Sequence, residues 1–171
     1  MSATALPDSS RALALSTFAF TICFAVWTIF SIIGIQIGRE LNLTETQFGL
    51  LAGMPILTGS LVRIVLGVAT DRLGGRRVYT LTMLAAALAT FLLSRAETYP
   101  QLLVAALGVG LAGGSFAVGV AYVSRFFDGA RQGTALGIFG VGNIGAALTK
   151  FLAPFVMLAW GWQATAQIWA A

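Results

Sequence analysis

Five apolar runs of membrane-spanning length, each bounded by charges or turn formers, take up most of this chain. They cover residues 12–38, 46–70, 78–94, 98–124 and 132–158. A helix rises 1.5 Å per residue, so about 20 apolar residues cross the roughly 30 Å hydrocarbon layer of a bilayer. The first run is too long for a signal-peptide core and no small-residue cleavage site follows it, so it reads as a retained span. After a turn at "WGWQ" a sixth run opens, and its residues 164–171 reach about half a bilayer, so the sequence is expected to continue. Residues 1–11 read as a cytoplasmic tail and residues 12–171 as one transmembrane bundle that stops within helix six.

Composition excludes most alternatives. With 58% hydrophobic and 9% charged residues, a chain of 171 residues cannot hide its apolar side chains inside a water-facing globule, and the fold class is an all-α membrane protein. Histidine is absent and Cys23 is the single cysteine, set in an apolar run, so zinc clusters, disulfide frameworks and Cys/His catalysis have almost nothing to build with. No enzyme chemistry, metal or cofactor is expected. The net charge of +4 does not point to nucleic acid, because the cations are scattered between apolar spans. They vote on topology instead: Arg11, Arg72, Arg76, Arg77, Arg125 and Arg131 fall on one side, and Arg39 and Arg95 on the other. By the positive-inside rule the N-terminus is cytoplasmic.

Two cations, Arg63 and Lys150, interrupt the spans, while all six acids lie in the tail or loops. A charge at mid-membrane costs about 2.5–3.5 kcal/mol on insertion scales, which makes it a functional candidate by default. Counting along the helices puts Arg63 about 12 Å before Asp71, Phe116 about 14 Å before Arg125 and Asn143 about 18 Å after Arg131. Three spans thus offer a planar fork of donors, an aromatic ring and an amide at similar depth. These groups suit a small planar oxyanion. Each also has a structural reading: an ion pair with an acid elsewhere for Arg63, a helix-packing hydrogen bond for Asn143, plain packing for Phe116. Lys150 lies near the outer end of its span, where it either snorkels to the headgroups or serves in coupling.

About half of the 20 glycines fall between Gly108 and Gly145. Gly110 and Gly114 with Ala117 and Ala121, and the GxxxG pair Gly133 and Gly137, predict helix faces that are either tightly packed or bare toward a cavity. Gly108, Gly110 and Gly113 also match GxGxxG, but a dinucleotide site needs that pattern in the turn after a strand, and here it lies inside a membrane span.

The loop "GVATDRLGGRRV" resembles the signature of the major facilitator superfamily between its second and third helices. It keeps Gly67, Asp71, Arg72, Gly74 and Arg76, followed by Arg77, with Gly75 where a basic residue is usual. The implied role is a cytoplasmic latch whose acid and cations pair in one state and release in another. Within that superfamily the chain resembles the nitrate/nitrite porters through "TGSLVRI", "AGGSFAVGVAYVSRFF" and "RQGTALGIFGVGNIGAA". The resemblance implies an N-terminal helical bundle of a twelve-helix transporter that alternates access to a central site. It makes Arg63 the anion-binding arginine, Phe116 the aromatic wall, Asn143 the signature asparagine, and Gly140 and Gly142 part of the backbone around the anion. A second cation and the opposite wall would come from the missing C-terminal half. The shorter "GIFGVGN", with "FAVWTIFSIIGIQI" and "ALTKFLAPF", looks closer to the branch that carries nitrate with protons than to the nitrate/nitrite antiporters. Nitrite, formate, bicarbonate or another substrate of the superfamily stay open, as does a membrane module that transports nothing.

Overall fold

In lipid every backbone N–H and C=O must be satisfied within its own segment, so apolar runs of this length become helices. The computed structural model describes residues 8–171; residues 1–7 of the expected tail lie outside it. The helices are α1 (Ser9–Trp27), α2 (Phe30–Glu40), α3 (Glu45–Leu73), α4 (Gly75–Leu93), α5 (Tyr99–Gly110), α6 (Ser115–Val123), α7 (Gly129–Gly140) and α8 (Ile144–Ala170). They assemble into five membrane-length segments: α1 with α2, α3, α4, α5 with α6, and α7 with α8. The first begins at Ser9, inside the stretch expected as tail, because Ala12 N–H already donates to Asp8 C=O at 2.8 Å.

The sequence predicts uninterrupted spans, and three of the five are broken in the middle. Between α1 and α2 the Thr28 hydroxyl donates back to the carbonyls of Phe24 (2.9 Å) and Ala25 (3.2 Å), a contact that bends helices. Leu111–Gly114 and Val141–Asn143 are short 3₁₀ turns within the glycine-rich stretches. Glycine gives little reason to hold α geometry, and a 3₁₀ segment inside a helix is a recurrent mark of a functional hinge.

Local chemistry fixes the ends. "TETQ" and "TYPQ" start α3 and α5: the Gln47 side chain accepts from Thr44 N–H at 3.0 Å, and Gln101 accepts from Thr98 N–H at 3.2 Å. Gly74 makes the turn into α4 at φ +86°. Gly75, the departure from the superfamily pattern, lies under the Tyr122 ring, which leaves no room for the usual basic side chain.

Inside the bundle, Ile29, Ile33 and Ile37 pack with Leu51, Leu93, Leu102 and Val109, all fully buried. The outside is as apolar as the inside: Ile64 is 73% and Leu158 83% exposed, the pattern of a surface that faces lipid. The contacts sort the helix termini into two ends. Arg125 meets Asp71 at one. At the other, Trp162 Nε1–H donates to Glu40 Oε2 at 2.7 Å and Tyr99 O–H donates to Gln47 C=O at 3.0 Å.

Gly161 breaks α8 with φ +80° and reverses its course, so that Trp169 Nε1–H donates to the Thr149 hydroxyl at 2.8 Å, twenty residues back. At this φ and a ψ of 172°, a region essentially restricted to glycine, an L side chain is strained by about 1–3 kcal/mol. Gly161→Ala is therefore expected to lower the melting temperature of the detergent-purified protein by a few degrees while Gln163→Ala, on the exposed side of the same turn, leaves it unchanged.

Candidate functional site

Helix α1 carries Phe20, Phe24 and Trp27 at spacings of four and three residues, which places the three rings on one face. Phe24 touches Phe20 at 5.3 Å between ring centroids and Trp27 at 5.2 Å. The three breaks described above all lie beside this stripe. Trp27 ends α1 at the first break; Phe20 packs at the third, where its ring and the Thr17 carbonyl cover Gly142. At the second break, Gly113 is pressed against the Trp27 indole.

Arg63 sits on α3 one helical turn beyond Gly59, half-buried. Its Nε–H donates to Gly113 C=O at 3.3 Å, and its guanidinium carbon lies 5.9 Å from the centre of the Trp27 ring. Among the described residues the one ion pair is Arg125 with Asp71, so Arg63 has no acidic partner there. A carbonyl dipole and a ring face hold the fork without cancelling its charge. Its two terminal nitrogens make no hydrogen bond to any described residue, and they are the donors a carboxylate or nitrate would use.

Phe116, at 39% exposure, meets Phe20 at 5.5 Å and Phe139 at 5.8 Å. Phe139 is itself stacked on Phe20 at 4.8 Å. Asn143 is exposed, and its Nδ2 donates to Gly140 C=O at 2.7 Å, bridging the 3₁₀ turn from which it projects. A side chain at Gly140 would meet nothing within 4 Å, so this backbone is bare on one side, as is the Gly133 and Gly137 face. Gly142 differs: it is buried against α1 and serves helix approach.

Arg63, Phe116 and Asn143 thus share no hydrogen bond and no cation–π contact with one another. They stand around one aromatic stripe, with Arg63 at its Trp27 end and Phe116 and the Asn143 turn at its Phe20 end. Phe20, Phe24, Trp27 and Phe139 are the neighbours that counting depth along single helices misses. The spacing within "FTICFAVW" is the signal that could have found the first three. Lys150 is exposed on α8, next to Thr149, whose hydroxyl donates to Ala25 C=O at 2.8 Å, and it makes no ion pair among the described residues.

The residues of the loop signature gather at the other end of α3. Arg125 Nη2 donates to Asp71 Oδ1 at 2.7 Å and to Asp71 C=O at 3.3 Å, tying the segment that follows α6 to the last turn of α3. Arg72, Arg76 and Arg77 are exposed around it, and Gly67 sits on α3 with nothing within 4 Å of a side chain placed there.

The sequence pattern of the Major Facilitator Superfamily matches residues 15–171. The chain is 47% identical over 148 residues, 86% of its length, to a protein of Thermus thermophilus named probable nitrate/nitrite antiporter NarK1. It is 32% identical over 92% of its length to probable nitrate transporter NarT of Staphylococcus carnosus, and 31% identical over 92% to a nitrite extrusion protein of Bacillus subtilis. It spans 33% of the first of these proteins and 40% of the other two.

Proposed function

The chain belongs to the major facilitator superfamily, a multi-pass membrane family of transporters rather than enzymes, and from that premise we propose that it forms the N-terminal part of a carrier for nitrate, with nitrite as a second substrate. The observation that carries this reading is Arg63, a half-buried cation held by a carbonyl and an indole, with no acid beside it among the described residues. Such a site keeps a full positive charge for a solute to neutralise. Nitrate is planar, monovalent and matched by the guanidinium fork. The exposed Asn143 amide and the bare Gly140 backbone orient the anion, Phe116 walls it, and a second cation comes from the part of the transporter beyond this chain. The names of the relatives favour nitrate and nitrite over formate or bicarbonate.

The test is labelled nitrate uptake into vesicles carrying the full-length protein, with unlabelled anions as competitors. Competition by nitrate and nitrite at equal concentration, with formate and bicarbonate weak, supports the assignment. Uptake that none of the four reduces sinks it.

Coupling takes one of two forms in this proposal. Proton-coupled uptake fits the shortened "GIFGVGN", and exchange of nitrate for nitrite fits the name of the Thermus relative. The acids of the described residues sit at helix ends or in loops, Glu40, Glu45 and Asp71 among them, so a proton route through the middle of this half would run through water or the anion itself. An inward proton gradient that drives accumulation in vesicles free of nitrite selects symport; a requirement for internal nitrite selects antiport.

The positive-inside rule places the Asp71 end in the cytoplasm, where the ion pair with Arg125 acts as a latch between states. The two side chains are 65% and 46% exposed, so the pair contributes under about 1 kcal/mol to stability. Asp71→Asn is expected to leave the melting temperature within about a degree of wild type. The maximal uptake rate should fall several-fold with little change in KM, because the substitution changes how readily the halves exchange states, not the anion site.

A further inference from the structure

Given the anion-binding role proposed for Arg63, we infer that Trp27 is its positioning residue: the indole holds the guanidinium in place while the site is empty and sets how tightly it binds the anion. The indole is fixed on three sides. Its Nε1–H donates to Pro55 C=O at 2.9 Å. A side-chain carbon at Gly59 would lie 2.9 Å from that nitrogen, and one at Gly113 would lie 2.7 Å from it, so both glycines clamp the ring and neither tolerates a methyl group without displacing it. Phe24 leans on it at 5.2 Å, and the Thr28 break ends α1 immediately after it.

A ring held this firmly presents a fixed π-face. Arg63 lies 5.9 Å from its centre, at the edge of cation–π range, and the same Gly113 that clamps the indole supplies the carbonyl for Arg63 Nε. Trp27, Gly113 and Arg63 therefore form one unit that joins α1, the 3₁₀ turn and α3. Neither partner carries net charge. An acid in this position would hold Arg63 as well, but it would compete with every incoming anion. The indole instead restricts the long side chain and leaves its terminal nitrogens open, so less conformational freedom is lost when the anion arrives.

The test compares Trp27→Leu and Trp27→Phe with wild type in the full-length protein, by two readouts. In nitrate uptake, KM is expected to rise about tenfold in Trp27→Leu and less in Trp27→Phe, with maximal rate per folded molecule within about twofold of wild type. Phenylglyoxal, which modifies free guanidinium groups, is expected to label the Arg63 peptide several-fold faster in Trp27→Leu, followed by mass spectrometry. Should the leucine variant fail to fold, the phenylalanine variant carries the test alone: a smaller shift in the same direction upholds the inference. Unchanged KM and unchanged labelling in a folded variant overturn it. So does a loss of maximal rate with KM unaltered, which marks the indole as a wedge only. If wild type takes up no nitrate, the anion reading falls by itself, and the labelling still decides whether Trp27 holds Arg63.

Discussion

Arg63→Ala is expected to remove nitrate uptake while leaving the protein in the membrane at its normal level. Each charge-assisted hydrogen bond to an ion contributes about 1.5–3 kcal/mol, so losing both arms of a fork weakens anion binding at least about a hundredfold. Arg63→Lys keeps the charge but not the fork, and should fall in between. Stability is expected to move the other way. Insertion of the arginine at mid-membrane costs about 2.5–3.5 kcal/mol, and its partners, the Gly113 carbonyl and the Trp27 ring, are weak. The melting temperature of Arg63→Ala should therefore hold or rise. A residue kept against its own contribution to stability is the pattern of a functional site. Uptake that survives the substitution, or a protein that fails to fold without the arginine, would move Arg63 from the anion site to the structural framework.

The second large effect concerns Gly145. A side-chain carbon there would collide with the Thr21 carbonyl and lie 2.9 Å from the Ala25 nitrogen. Backbone cannot rotate aside as a side chain can, so Gly145→Ala must push α8 away from α1. That separation also strains the 2.8 Å bond from the Thr149 hydroxyl to Ala25 C=O and, through Thr149, the bond from Trp169. Overpacking of this kind costs about 3 kcal/mol, at the upper end of its usual range. A melting temperature about 5–10 °C lower is expected, with less protein reaching the membrane. Gly137→Ala is the control: nothing lies within 4 Å, and a helix gains about 0.5–1 kcal/mol from the exchange. Equal melting temperatures for the two variants would contradict the packing described here.

That contrast shows how far glycine can be read from the sequence. Both glycines belong to the same rich stretch, and spacing alone predicts faces that are either packed or bare. The structure assigns each one. Gly145 and Gly142 lie against α1, while Gly133, Gly137 and Gly140 are bare. A GxxxG pattern states that a helix can be approached closely, but which neighbour approaches depends on elements far away in sequence.

Local rules carried most of the architecture. Run lengths gave the five spans, because bilayer thickness and helix rise leave little choice. The solitary cation in "LTGSLVRIVLG" identified the candidate site for a similarly local reason: a charge placed deep in an apolar run carries a penalty that is visible before its neighbours are known. The breaks at Thr28, Leu111–Gly114 and Val141–Asn143 were not legible, since a weak helix former bends only where neighbours hold the bent form. Nor was the role of Trp27, which in sequence is one more aromatic residue in an apolar run. It meets Arg63 beside Gly113, a residue 50 positions beyond the arginine. Periodicity and hydropathy act within a segment, and they determined that this chain crosses a membrane and carries a charge there; the partners of that charge come from two other segments packed against its own, and only the tertiary structure could decide them.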